Sequence, residues 1–257
     1  VPQLAMVHDF VISAQHLIFL VPPYDLSPDT SLSFADRHAW AGTRPMRAVV
    51  VSKATLQVRQ VFELEPNMAF HFGNAFDDGQ TTRLDAVLHG GDAIAAFGAL
   101  MRGERQPQLF ERSHTAQITL DYASGKARQA RLFGASEFPR VMPQVVGRRH
   151  RKLAVLGSAA RDREHGLNTV NLVDTDTGKA DSFRFDAGWL AEEHVLVPRR
   201  HARSETDGYL VGVAQDTRRG ETVMTVFDAA HVSDGPLAMA RLDYRAPICF
   251  HGNFLPV

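Results

Sequence analysis

A single cysteine, Cys249, is all the thiol that 257 residues contain. That excludes an intrachain disulfide framework and any cysteine-rich zinc site. Excess charge is missing too, with 28 basic residues against 29 acidic ones and a formal net charge of -1. Such a balance exerts no global pull toward nucleic acid or an anionic membrane. The short basic run Arg148–Lys152 has no interleaved aromatics for base stacking and reads as a solvated turn. No transmembrane segment is expected: the longest apolar run, Leu17–Val21, is far below the roughly 20 residues that cross a bilayer. Peripheral contact with a membrane stays open. Val1-Pro2-Gln3 is not the basic start of a signal peptide, and with so little cysteine the expected compartment is the reducing cytoplasm. There is no Gly-x-Ser-x-Gly elbow of a serine hydrolase and no Walker-type phosphate loop.

What is present is an ordinary globular composition, 44% hydrophobic and 22% charged, with enough length to bury a real core. The dominant pattern is short strand, turn, short strand. Ala48–Val51 and Val58–Leu64 are strand-like. Three further hairpins fold around Ser124-Gly125, Asp176-Thr177-Gly178 and Arg218-Arg219-Gly220, each glycine supplying the positive φ that such turns use. The turn glycines lie 53 and 42 residues apart, periods that four-stranded propeller blades produce. A β-sandwich is the alternative on the same pattern. One helix is expected, capped by Asp92, running through Ala93–Met101 and closed by Gly103.

The count that stands out is 12 histidines. His38, His89, His114, His165, His201 and His231 sit in polar or turn-like surroundings and read as solvated or structural. Three others lie in apolar, phenylalanine-rich stretches: His8 in Val7-His8-Asp9-Phe10, His71 in Phe70-His71-Phe72, and His251 in Phe250-His251-Gly252. Singly, each reads as a hydrogen-bonded core residue. Together they form a pattern, spaced 63 and then 180 residues apart. That spacing does not suit a helix-borne metal pair, whose ligands sit three to five residues apart. It does suit innermost strands converging on one axis, each offering one imidazole to a shared Fe, Cu, Ni or Zn ion.

These stretches resemble the motifs of the carotenoid cleavage oxygenase family. Met6-Val7-His8-Asp9-Phe10 is similar to its Met-Met-His-Asp-Phe, and Phe70-His71-Phe72-Gly73-Asn74-Ala75 to its Phe-His-x-x-Asn-Ala. Phe250-His251-Gly252 is similar to its Phe-His-Gly. Glu137-Phe138-Pro139-Arg140 matches Glu-Phe-Pro-Arg, and Glu193-His194-Val195-Leu196-Val197-Pro198 resembles Glu-Pro-x-Phe-Val-Pro. The five motifs fall in family order over nearly the whole chain. His194 in place of proline, Val7 in place of methionine, and Asp77 where glutamate is common are departures that remove no ligand.

The resemblance implies an all-β, seven-bladed propeller, with residues 1–257 forming roughly the C-terminal half of one propeller domain and the one short helix inserted. It implies Fe(II) as cofactor, His8, His71 and His251 as three of four ligands, and Glu137 and Glu193 as carboxylates that orient ligand histidines. The fourth histidine and a further glutamate are expected from an element upstream of Val1, and these 257 residues alone are expected to be inactive. His16 is not a ready substitute. The implied reaction is cleavage of a conjugated C=C bond of a carotenoid, apocarotenoid or stilbene by O2, giving two carbonyl products. The substrate would be small and apolar, and Phe70, Phe72 and Phe250 would either wall its tunnel or fill blade core. A non-oxidative isomerohydrolase, or a propeller interaction protein without metal chemistry, are the alternatives.

Overall fold

The computed structural model describes residues 6–104, 112–158 and 166–255. In chain order the strands are β1 (Val11–Ile12), β2 (His16–Val21), β3 (Tyr24–Leu26), β4 (His38–Trp40), β5 (Met46–Ser52), β6 (Val58–Leu64), β7 (Met68–Asp78) and β8 (Thr81–His89). Helix α1 (Ala93–Met101) follows, then β9 (Ser113–Asp121), β10 (Lys126–Phe133), β11 (Ser136–Arg140), β12 (Lys152–Gly157), β13 (Thr169–Asp174) and β14 (Ala180–Arg184). The last four are β15 (Trp189–Pro198), β16 (Gly208–Asp216), β17 (Glu221–Asp228) and β18 (Pro236–Arg241).

These strands make four four-stranded antiparallel sheets, β1-β2-β5-β6, β7-β8-β9-β10, β11-β12-β13-β14 and β15-β16-β17-β18, plus the two-stranded ribbon β3-β4. Sheets successive in the chain touch through their first strands, β1 with β7, β7 with β11 and β11 with β15. Each sheet thus runs outward from a shared inner side, the arrangement from which propeller blades are built. The three hairpin turns fall where the sequence reading put them, with φ of 70° at Gly125, 70° at Gly178 and 68° at Gly220. The helix also matches: the Asp92 side chain accepts from the Ala95 N–H.

Burial follows the sheet faces. One cluster, including Ile18, Leu20, Phe62, Phe72, Leu84 and Ile118, fills the space between the first and second sheets. Another, including Phe138, Met142, Leu172, Leu210 and Phe227, fills that between the third and fourth. A smaller group centred on Tyr24, Met68 and Ile94 fastens the ribbon and α1 over the start of β7, with Phe70 and Phe97 packed against it. No helix among the described residues is long and apolar enough to cross a membrane.

Candidate metal centre

Three of the strands that carry candidate residues break register at them. Along β7, pairing with β8 shifts between Ala69 and Phe72 and again between Phe72 and Ala75, one extra residue each time. The same happens in β11 between Glu137 and Arg140, and in β15 between Ala191 and His194. Such bulges re-aim a side chain that strict alternation would send elsewhere. Phe138, inside the β11 bulge, has φ of 54°, a region that a non-glycine residue holds only when its surroundings require it.

The three candidate imidazoles converge. His71 on β7, His8 just ahead of β1, and His251 in the segment after β18 each bring one ring nitrogen to a place where all three lie within 4.8 Å of one another. The His71 ring stands edge-on to both neighbours, with centroids 5.3 Å from His8 and 4.9 Å from His251. A set of three neutral imidazoles at this spacing fits a divalent transition metal, and imidazole suits Fe, Cu, Ni and Zn alike.

Both predicted glutamates are buried rather than surface charges, 2% exposed for Glu137 and 7% for Glu193. The His71 Nδ1–H donates to Glu137 Oε2 at 2.6 Å, which leaves Nε2 as the free ligand atom and strengthens it as a donor. Glu193 faces His251, its Oε1 3.5 Å from Nδ1, and accepts from the Gly252 N–H at 2.8 Å. Arg140 clamps that carboxylate from its Nε at 2.8 Å and its Nη2 at 2.9 Å. The same Nη2 reaches the Gly252 carbonyl at 3.3 Å, so the segment bearing His251 is tied to β11 and β15 at once.

Electrostatics follow from these contacts. Burial works against the Glu137 charge, but hydrogen bonds from His71 and His89 outweigh it and hold the carboxyl far below the usual carboxylate range. Burial likewise opposes charge on His71, yet the Glu137 bond and charge prevail and raise it. His8 is lowered, first by burial and then by the His71 ring. A ring held neutral is the form that binds metal.

His89, expected from sequence to be solvated or structural, is not solvated. It is 2% exposed, and its Nε2 donates to the second oxygen of Glu137 at 2.6 Å. Its place just before the Gly90-Gly91 turn concealed this, because the partner is 48 residues away. His150 is also no solvated turn residue: it is buried, with Nε2 2.6 Å from Asp85 Oδ2. His16 is engaged elsewhere, by Asp77 at 2.8 Å and Arg59 at 2.7 Å. His165 lies outside the described residues. The phenylalanines divide. Phe72 belongs to the core between sheets, whereas Phe70 packs on His8 at 5.5 Å and Phe250 on Phe138 and Phe97. The Phe138 ring lies tilted against His71 with centroids 5.0 Å apart, completing an aromatic wall around the imidazoles.

Three imidazoles gathered at the inner side of the sheets, two of them backed by buried carboxylates, define a histidine-centred all-β class. The chain belongs to the carotenoid cleavage oxygenases: the family profile described as Retinal pigment epithelial membrane protein matches residues 1–256. Lignostilbene-alpha,beta-dioxygenase isozyme III of Sphingomonas paucimobilis is 26% identical over 99% of this chain and 55% of its own length. A carotenoid cleavage oxygenase of Mycobacterium tuberculosis is 29% identical over 85% of this chain and 44% of its own. The chain spans about half the length of the curated relatives it matches. Among solved structures, cobalt-substituted Synechocystis apocarotenoid oxygenase superposes with a TM-score of 0.88 at 21% identity, over 100% of this chain and 54% of that one. Pseudomonas brassicacearum lignostilbene dioxygenase gives 0.87 at 22%, over 100% of this chain and 56% of that one. Both establish a shared fold.

Proposed function

We propose that His8, His71 and His251 are ligands of an Fe(II) ion, and that the chain is the C-terminal part of a seven-bladed dioxygenase. Its substrate would be a carotenoid, apocarotenoid or stilbene, cleaved by O2 at a conjugated C=C bond into two carbonyl products. The observation that carries this reading is the meeting of three imidazole nitrogens within 4.8 Å, two of them faced by buried carboxylates. A fourth imidazole, from an element preceding residue 1, would complete the set.

A bound iron would supply the redox chemistry that joins dioxygen to an alkene, which no protein side chain can do alone. The protein's own part is orientation. Glu137 fixes the His71 tautomer, and Glu193 with Arg140 holds the segment that presents His251. Phe70, Phe97, Phe138 and Phe250 give the site an apolar rim, suited to a conjugated hydrocarbon and unfavourable to bulk water. No general base is needed, so no titrating side chain is assigned to the bond cleavage.

The test has two stages. After anaerobic loading with Fe(II), the protein is expected to retain stoichiometric iron, and His71→Ala is expected to lose it. The whole dioxygenase of which this chain is proposed to be a part, loaded in the same way, is then given a stilbene or an apocarotenal under isotopically labelled O2, with carbonyl products read by mass spectrometry. Failure to acquire iron would overturn the metal assignment. Retained iron without O2-dependent cleavage would overturn the dioxygenase reading and favour an isomerohydrolase.

A further inference from the structure

We propose that His89 is a positioning residue of this centre: it pins the Glu137 carboxylate and thereby sets the tautomer and donor strength of His71. The inference rests on the metal reading above and adds a residue to it.

The two glutamates are anchored by different chemistry. Glu193 has a guanidinium across both oxygens. Glu137 has no lysine or arginine against it among the described residues; its donors are two imidazoles and one amide. Oε2 accepts from His71 at 2.6 Å and from the Phe138 N–H at 2.7 Å. Oε1 accepts from His89 Nε2 at 2.6 Å, its one donor among the described residues. Removing that donor would leave a buried, charged oxygen unpaired. The carboxylate would then protonate or turn, and in either case His71 would lose a fixed acceptor.

His89 has little else to do. It ends β8, opposite Met68 at the start of β7, and its Nδ1 is buried with no hydrogen-bond partner among the described residues. Its ring meets Phe70 edge-on at 5.1 Å. A merely space-filling role would be better served by a phenyl or leucyl group, which carries no unpaired nitrogen. The imidazole makes sense as a donor aimed at Oε1, joining β8 to the β11 carboxylate and, through it, to the β7 ligand.

The test uses Co(II) as the probe, titrated anaerobically and followed by its visible absorption, with wild type, His89→Phe and His89→Gln. His89→Phe removes the donor and is expected to weaken Co(II) binding about 10- to 100-fold, the usual cost of losing an outer partner of a metal ligand. His89→Gln keeps an N–H donor and is expected to recover most of that loss. In the metal-free chain, nitrogen-15 NMR should show the downfield His71 Nδ1–H resonance in wild type and His89→Gln, and its shift in His89→Phe. Should His89→Phe fail to fold, His89→Asn, polar but too short to reach Oε1, takes its place with the same expectation. A donorless variant that folds, binds Co(II) as tightly and keeps the His71 resonance would overturn the proposal. Wild type that binds no Co(II) would overturn the metal reading first, and this inference with it.

Discussion

Buried imidazoles in this molecule are pushed in opposite directions, and their partners decide which way. His71 gains a carboxylate and is raised. His194 is 2% exposed and its hydrogen-bond partners are both neutral. Its Nδ1–H donates to the Glu192 carbonyl at 2.7 Å, and its Nε2 accepts from the Thr225 hydroxyl at 2.8 Å. Burial lowers it to about 4, against the opposing pull of that carbonyl and of Glu193. A histidine lowered on folding takes up its proton first in the unfolded chain. Its contribution to stability is therefore whole above about pH 6.5 and is lost as pH falls toward 4, by up to about 3 kcal/mol. Neighbouring Glu192 is raised by burial and works the other way, so the informative quantity is a difference between variants. His194→Gln still offers a donor and an acceptor and cannot titrate. Urea unfolding of the two proteins from pH 7 to 4.5 should show a flatter decline for the variant, and parallel curves would refute the assignment.

The elements that sequence pattern can reveal are those that keep strict periodicity, and here these are the hairpins and the helix. Gly220 needs its φ of 68° and, among the described residues, has nothing within 4 Å of an added Cβ. Gly220→Ala should therefore cost about 1 kcal/mol from backbone conformation alone, read as a lowered denaturant midpoint, with Gly220→Asn milder. Asp92 does more than its capping role implied: it also accepts from the Tyr24 hydroxyl at 3.1 Å, which in turn accepts from the Ile94 N–H at 3.2 Å. Asp92→Ala should cost more than the roughly 1 kcal/mol of a lost cap. It should also loosen α1, raising hydrogen exchange in Ala93–Ala99, whereas an unchanged exchange rate would confine the effect to the cap. The site was legible by a different route, since the family motifs preserve His8, His71, His251, Glu137 and Glu193 as residue types. What stayed hidden were the β7, β11 and β15 bulges, because one extra residue reverses the face that alternation assigns. His89 stayed hidden for a related reason: its meaning lies in a carboxylate on another sheet.

At the scale of the whole molecule, His71, Glu137 and Glu193 sit on the inner strands and protective charge on the outer ones. The outermost strands of the first three sheets carry charges along their length: Arg59 and Glu63 on β6, Lys126, Arg128 and Arg131 on β10, Asp181 and Arg184 on β14. Charged side chains on an edge discourage pairing with another chain. β18 is the exception. Its sequence Pro-Leu-Ala-Met-Ala-Arg has one charge, at the end, while Leu237 and Met239 are 62% and 47% exposed. Among the described residues its outer edge is thus the least defended of the four, held only on the β17 side. The expected consequence is concentration-dependent self-association of this chain through β18. Met239→Lys places a charge mid-strand at an exposed position and should reduce that association while leaving the His8, His71 and His251 cluster intact. Light scattering across a dilution series, run beside Co(II) binding on the same samples, separates the two effects. Equal association of wild type and variant would show that contact is made elsewhere on the surface.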